Sequence, residues 1–171
     1  MYYGIKNAYY SINGNIPIRL PGAVSLTTDS NGEILTKKIR LNSGIIVEKP
    51  VGVTETSEKI AFEIADLPIN FLVDIFGYEV DGAGVLIEHQ QKKAIPFSLL
   101  FETNNKDDNC RALYYECYCK KPQFSIATNS DSVKLSARSL DIIATGDPIS
   151  AMITKNTSKS VYNNWFNTVY K

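Results

Sequence analysis

Apolar and polar side chains alternate along much of this chain with a period of two residues. Between residues 95 and 101 the odd positions are apolar, and the same spacing recurs from 113 to 119, which gives two sets on single faces: Ile95, Phe97, Leu99 and Phe101, then Leu113, Tyr115, Cys117 and Cys119. Such alternation predicts half-buried β-strands. Asn and Asp dominate the segment 103–109 between them, which predicts the loop of a hairpin.

Weaker alternation predicts further strands at 7–12, 23–28 and 59–66, the last with Ile60, Phe62 and Ile64 on one face. The segment 133–144 alternates twice with a change of phase, from odd to even positions: Val133, Leu135 and Ala137, then Leu140, Ile142 and Ala144. A β-bulge near Arg138 or Ser139 would account for the change. The chain is therefore predicted to be mainly β.

One internal segment, 67–76, has the three-four spacing of an amphipathic helix, carried by Leu67, Phe71, Leu72 and Ile75. Asp66 is predicted to cap its first turn, Pro68 suits that turn, and Gly77 should end the helix. We expect the helix to cover one face of a sheet.

Two segments depart from these patterns. Residues 33–57 are longer than the usual connection of about 4–6 residues, and they place a basic cluster beside an apolar patch. We predict that they form a projecting hairpin or arm. Residues 148–171 are predicted to form a carboxyl-terminal extension of the β domain 1–147, with a short amphipathic helix at 160–170 that could dock on a surface.

The composition adds few constraints on function. The length of 171 residues and the 44% hydrophobic content fit one globular domain. Eighteen basic and eighteen acidic residues cancel, which argues against strong attraction to nucleic acid or to a membrane surface. The first residues do not have the charged-then-apolar pattern of a signal peptide, and no apolar run reaches roughly 18 residues. We therefore expect a protein that is made and kept in a cytoplasm.

All three cysteines lie inside ten residues, as Cys110, Cys117 and Cys119. A thiolate metal site usually needs four ligands, and His89 is the only histidine that could complete one. Cys117 and Cys119 would lie about 6.5–7 Å apart along a strand, too far for a relaxed disulfide. We predict reduced thiols that fill space as small apolar side chains, with no metal and no cofactor.

Catalytic patterns are equally weak. His89 ends a strand in a polar loop, and no Gly-x-Ser-x-Gly elbow is present, which predicts an exposed loop histidine. Asp107 and Asp108 lack the ligand series of a calcium loop. The sequence "DGAG" at 81–84 follows a helix and precedes a strand, the wrong order for a dinucleotide fingerprint. It predicts a turn.

The order of particular phrases is more informative. The chain contains in succession "YGIKNAYYSI", "PGAVSLTTDSNGE", "LPINFLVDIFGYEVDGAGVLIE", "IPFSLLFE", "YYECYCKKP" and "VYNNWFNTVY". This order resembles the major tail tube proteins of long-tailed phages of Gram-positive bacteria, over nearly the whole chain. At the start of the arm "ILTKKIRL" stands where that family would have an aromatic-acidic phrase.

The resemblance implies a structural protein without catalysis. It implies a β-sandwich or partly closed barrel with one flanking α-helix, a long projecting arm and a carboxyl-terminal tail. Six copies would form a ring, and stacked rings would form a tube in the virion tail through which DNA passes without specific binding. The implied partners are further copies of the chain and other tail proteins, namely the tape measure, tail terminator and distal tail proteins; no membrane is involved.

Three groups of residues are candidates for contacts in such an assembly. Candidates for contact between rings are Lys37, Lys38, Arg40, Ile45, Ile46 and Val47. Candidates for docking of the tail are Val161, Trp165, Phe166 and Val169. Candidates for a surface toward the channel or a neighbouring subunit are Glu116, Tyr118 and Lys120.

Two other functions fit the same composition. The first is a β-sandwich binding module for carbohydrate or a cell-surface receptor, with Trp165 and the tyrosines as stacking platforms. The second is a small hydrolase that depends on His89.

Overall fold

Eleven strands and two helices form in the part of the chain that the computed structural model describes, namely residues 3–54, 56–91, 93–103, 110–122 and 138–171. The strands are β1 (Tyr3–Ser11), β2 (Ile18–Arg19), β3 (Ala23–Ser30), β4 (Ile34–Arg40), β5 (Ile46–Val53), β6 (Glu58–Ile64), β7 (Glu79–Val80), β8 (Leu86–Ile87), β9 (Phe97–Thr103), β10 (Arg111–Cys119) and β11 (Arg138–Met152). The helices are α1 (Ile69–Phe76) and α2 (Lys159–Asn164).

Six strands close into an antiparallel barrel in the order β1-β3-β6-β11-β10-β9. Closure comes from β1, which pairs with β3 through Tyr3 and Gly4 and with β9 along most of its length. The short β2 pairs with the end of β1, at Tyr9 and Tyr10. The chain is thus mainly β, and its sheet closes completely rather than partly, which protects the barrel strands from unwanted pairing.

The barrel interior is filled by the inward positions of the predicted strands. Leu26, Phe62 and Leu140 lie side by side on β3, β6 and β11, and all three are buried. Burial of each such side chain contributes about 1.5–3 kcal/mol. The predicted inward faces of 59–66 and of 140–144 are confirmed.

Helix α1 covers one end of this interior. Its Phe71 ring meets the rings of Tyr10 and Phe97 edge-on, with centroids 5.0 and 5.6 Å away. The four predicted apolar positions are all buried: Leu67, Phe71, Leu72 and Ile75.

The carboxyl-terminal end of α1 is predicted correctly, whereas its amino-terminal end is not. Gly77 ends the helix as predicted, with φ +70°, a left-handed conformation that costs glycine little. The predicted cap at Asp66 is wrong, because Pro68 is the capping residue and no side chain caps the first turn. Pro68 is extended, and its carbonyl accepts the first helical hydrogen bonds, so the helix begins at Ile69 rather than at Leu67.

Strand β10 contains a bulge that the alternation did not reveal. Its pairing with β11 and with β9 shifts register after Tyr114. One extra residue reverses the faces of a strand, so Cys117 and Cys119 point into the barrel while Leu113 and Tyr115 lie in a cluster outside it. The prediction that these four side chains share a face is therefore wrong.

Strand β9 was predicted to be half-buried, and this is also wrong, because all of its residues are buried. Phe97, Leu99 and Phe101 face the barrel interior, whereas Leu100 faces outward and packs with Leu113 and Trp165. The carboxyl-terminal segment covers the outer face of the strand, and polar residues such as Glu102 are buried there too.

Some predictions fall outside the described residues. They are the hairpin loop at 104–109 with Asp107 and Asp108, and the odd-numbered apolar positions Val133, Leu135 and Ala137 of the 133–144 segment. The predicted bulge near Arg138 or Ser139 is wrong for the pairing of β11 with β6, because that pairing runs from Arg138 to Ala144 without a register shift. The hairpin itself is confirmed by the pairing of β9 with β10. Strand β11 continues through position 148 to Met152. Helix α2 spans Lys159–Asn164, so it begins one residue before the predicted interval 160–170 and ends six residues before the end of that interval.

Candidate functional site

The predicted arm is a two-stranded hairpin, and within the described residues its strands β4 and β5 pair only with each other. All eight residues of β5 are exposed, and Ile39 is the one residue of β4 that is partly buried. The hairpin thus projects from the barrel between β3 and β6, as the sequence predicted.

Register divides the arm into two faces. One face, called here the lysine face, carries the cross-strand pairs Lys37–Lys49 and Ile39–Val47. Leu41 and Ile45 continue it to the tip, where the Leu41 amide donates to the Ile45 carbonyl. The opposite face carries three other cross-strand pairs: Thr36–Pro50, Lys38–Glu48 and Arg40–Ile46. The six predicted contact residues therefore divide equally between two opposite surfaces.

The arm exposes an unusual amount of apolar surface. Eight large apolar side chains between positions 34 and 53 are at least a third exposed: Ile34, Leu35, Leu41, Ile45, Ile46, Val47, Val51 and Val53. Ile45 and Ile46 at the tip are 60% and 58% exposed. Concentrated exposed apolar surface marks sites of protein interaction, and an isolated two-stranded hairpin is marginally stable in water.

The tail residues behave differently, because they pack on the barrel of their own chain. Ser158 caps α2 by accepting a hydrogen bond from the Val161 amide. Trp165 is 4% exposed and packs with Leu100 and Leu113, and Phe166 stacks on Tyr9 at 4.7 Å. The remaining predicted docking residues, Val161 and Val169, are partly buried in the same cluster.

A buried ion pair fastens α2 to the barrel. Arg111 donates from Nε to the Glu102 carboxylate at 3.4 Å and from a terminal nitrogen to the Tyr162 carbonyl. Its guanidinium lies 3.8 Å from the centre of the Tyr162 ring. Glu102 is 2% exposed and also accepts a hydrogen bond from Asn7 at 2.8 Å. Arg111 thus links a buried carboxylate to the tail.

Two of the three channel-face candidates are brought together. The Tyr118 hydroxyl donates to the Glu116 carboxylate at 2.6 Å, which raises the pKa of Tyr118. Both side chains are partly buried, whereas Lys120 is exposed. After the bulge these positions lie opposite Cys117 and Cys119, on the outside of the barrel.

The surroundings of the Cys117 and Cys119 thiols keep both of them protonated and therefore unreactive. Burial raises the pKa of the Cys117 thiol, and burial together with the charge of Asp141 raises that of Cys119 to about 12. Neither would ionise near neutral pH, and ionisation is what a nucleophile or a metal ligand requires. Among the described residues, no three His, Cys, Asp or Glu side chains gather as a metal site.

His89 lies at the surface, with its Nε2 3.1 Å from the Glu79 carboxylate. Both side chains are more than half exposed, so the prediction of an exposed histidine is confirmed. The "DGAG" segment is a turn between β7 and β8, in which the Asp81 carboxylate accepts from the amides of Ala83 and Val85.

The sequence reasoning missed a groove of about 420 Å³ on the outer face of β3, β6 and β11. Its outward side chains are Thr27, Asp29, Lys59, Ala61, Asp141 and Ile143. The available signal was the small Ala61 between two charged positions of β6, Lys59 and Glu63. A small side chain on a central strand leaves a depression between its larger neighbours.

In the described ranges, no helix has the length and apolar character needed to cross a membrane. No family model matches the chain, and no curated protein matches it. Among solved structures, the chain is similar to the cap of the anti-feeding prophage, described as a tube terminating cap and determined by cryo-electron microscopy. The TM-score is 0.49 at 9% identity, over 86% of this chain and 87% of that chain.

Proposed function

We propose that this protein is a structural subunit of a phage tail tube. In this proposal six copies join into a ring, and rings stack into a conduit through which DNA leaves the capsid. The observation that carries the proposal is the arm: an exposed, partly apolar hairpin that pairs with no strand of its own barrel. It accompanies the sequence resemblance to tail tube proteins described above.

An arm of this kind requires a partner. A two-stranded hairpin gains little stability alone, and its exposed apolar side chains favour contact with another surface. If the arm docks on a different surface of an identical copy, the contact is heterologous and repeats from copy to copy. Repetition of one such contact builds a ring or a filament, as a tube requires.

Charge and topology support the same function. The closed barrel is a stable unit that can be repeated without exposing long unpaired edges. Equal numbers of basic and acidic residues give the subunit no net attraction for phosphate, which suits a conduit in which DNA must slide. The proposal includes no catalytic role, and it places the protein in the virion tail beside tape measure, terminator and distal tail proteins.

The rival function as a carbohydrate-binding module loses its main aromatic platform. A stacking platform must present its ring face to the ligand, but Trp165 is 4% exposed and packed against the barrel.

The test is electron microscopy and sedimentation of the purified full chain at high concentration. We expect hollow tubes or six-fold rings, whereas a chain lacking residues 38–52 should stay dispersed with an unchanged melting temperature. Replacement of the turn residues Gly82 and Ala83 by Ser is the matched control and should leave assembly intact. A full chain that stays monomeric even with its tail partners would refute the proposal, and normal tubes from the deletion would remove the arm from assembly.

A further inference from the structure

We propose that the groove on the outer face of β3, β6 and β11 receives the arm of a second copy of this chain. The inference rests on the proposed function, because it names the surface through which copies assemble. Neither the resemblance nor the similar structure assigns this surface.

The groove has a small floor between charged walls. In register, Thr27, Ala61 and Asp141 lie side by side across the three strands, and the next outward row is Asp29, Lys59 and Ile143. Ala61 is the smallest side chain of the six and lies on the central strand. The floor is therefore lowest at Ala61, between walls formed by β3 and β11, and Lys59 bounds this low point along β6.

The two walls carry carboxylates without partners. Asp29 on β3 and Asp141 on β11 are both exposed, and neither forms an ion pair within the described ranges. Lys59 supplies one positive charge beside them. A surface with a low floor and acidic walls favours an occupant that is narrow and basic.

The lysine face of the arm has the complementary pattern. Lys37 and Lys49 lie directly opposite each other on β4 and β5, an arrangement that is unfavourable for like charges. In the described part of the chain no carboxylate lies within ion-pair distance of either lysine, whereas Lys38 on the other face pairs with Glu48. Carboxylates from another molecule would relieve this repulsion.

The dimensions also agree. Adjacent strands are about 4.8 Å apart, so β3 and β11 are separated by roughly 10 Å. A hairpin with its axis along β6 can therefore extend one lysine toward each wall. Ile39 and Val47, the next pair of the lysine face, would then lie against Ile143 and the methyl group of Thr27.

The contact must be between different copies. The arm begins where β3 ends, so the groove lies at the base of its own arm. A strand of seven residues spans roughly 23 Å, which carries the tip of the straight hairpin away from that base. Docking of one arm on the base of the next is a head-to-tail contact that leaves a free arm and a free groove at the two ends.

Crosslinking tests proximity directly. Two variants are prepared in a Cys110→Ser background, one with Val47→Cys in the arm and one with Ala61→Cys in the groove. The two preparations are mixed, allowed to assemble and treated with a short bismaleimide crosslinker. We expect a covalent dimer in the mixture and in neither preparation alone. Val47→Cys mixed with Lys155→Cys, an exposed position outside the groove, is the control and should give none. Equal crosslinking in both mixtures would contradict the proposed contact.

A charge exchange separates this inference from the proposed function. One double variant carries Asp29→Lys and Asp141→Lys, and a second carries Lys37→Glu and Lys49→Glu. We expect each to raise the critical concentration for polymerisation about tenfold, because attraction between the arm and the groove becomes repulsion. The chain with all four changes should recover most of the loss. Unchanged assembly of the Asp29→Lys, Asp141→Lys chain would overturn the groove while the proposed function stands. A wild-type chain that never polymerises would overturn both.

Discussion

Replacement of Arg111 should release the carboxyl-terminal tail from the barrel. Arg111 is the cation that neutralises the buried Glu102 carboxylate, and it also holds α2 through the Tyr162 carbonyl and ring. Removal of one partner of a buried ion pair typically costs about 3–5 kcal/mol, since the other charge is left uncompensated. Arg111→Met keeps most of the side-chain stem and removes the charge.

A second variant separates the cost of the uncompensated Glu102 charge from the loss of the contact between Arg111 and Tyr162. Arg111→Met combined with Glu102→Gln removes both charges, and replacement of a whole buried pair is often close to neutral. We therefore expect the double variant to recover most of the stability that the single variant loses. What remains lost is the contact of the guanidinium with Tyr162, about 0.5–2 kcal/mol.

Trp165 makes the release measurable, because it is the single tryptophan of the chain and lies in the tail, buried against the barrel. Its fluorescence reports undocking of the tail, and far-ultraviolet circular dichroism reports unfolding of the barrel. With a urea dependence of about 2–3 kcal/mol per molar, the fluorescence midpoint of Arg111→Met should fall by roughly 1–2.5 M. Lys159→Met, at an exposed position of α2, is the matched control and should leave the midpoint unchanged.

Two results would refute this reasoning. One is an unchanged fluorescence midpoint in Arg111→Met, which would mean that the ion pair does not hold the tail. The other is a double variant as unstable as the single one, which would mean that the uncompensated Glu102 charge is not the source of the loss.

Three further predictions concern the barrel and its helix. Gly77→Ala should lower the free energy of unfolding by about 1–2 kcal/mol, because Gly77 has φ +70°, while Gly82→Ala, outside that region and with open space around it, should have little effect. Cys117→Ser should cost about 1–3 kcal/mol through burial of a hydroxyl, and Cys110→Ser much less, both measured by thermal melting; equal losses would contradict the difference in burial. Burial and the hydrogen bond to Glu58 raise the pKa of Tyr114 above its unfolded value of 10.0, so its contribution to stability is full below about pH 10 and falls as the pH rises further. In urea titrations from pH 8 to 11, Tyr114→Phe should therefore show a shallower loss of stability than wild type, and parallel curves would count against this assignment.

Local sequence patterns correctly predicted those strands and helices that bury one face and expose the other. Ile60, Phe62 and Ile64 alternate because β6 has one face in the core, and the four apolar positions of α1 follow from a single contact with the barrel. Both patterns can be recognised from residues that are close together in the sequence.

Features that depend on distant parts of the chain could not be predicted in this way. The full burial of β9 comes from a tail that lies more than fifty residues later. The face reversal in β10 comes from one extra residue in its pairing with β9, and every residue type present there is compatible with either face. The groove requires three strands in a particular register.

The predicted contact residues show the same limit. The sequence identified the arm and its basic and apolar residues, but a basic cluster read along the chain does not reveal which side chains share a face. Lys37 and Lys38 are neighbours in sequence and lie on opposite surfaces. Lys49, which was not a candidate, lies opposite Lys37 and completes the pair that we consider decisive.

The register of the arm also bears on pairing between the edges of its strands and other chains. Strands β4 and β5 both have an open edge, and open edges can recruit the strands of other arms into disordered aggregates. Pro50 has no N–H to offer in the middle of β5, and the register shift between Leu35 and Thr36 bends the ladder at the same level. Extension of this small sheet by a further strand is thereby hindered, while its faces remain open to contact. If copies assemble through the faces of the arm as proposed, the same strands that offer those faces also disfavour fibril formation through their edges.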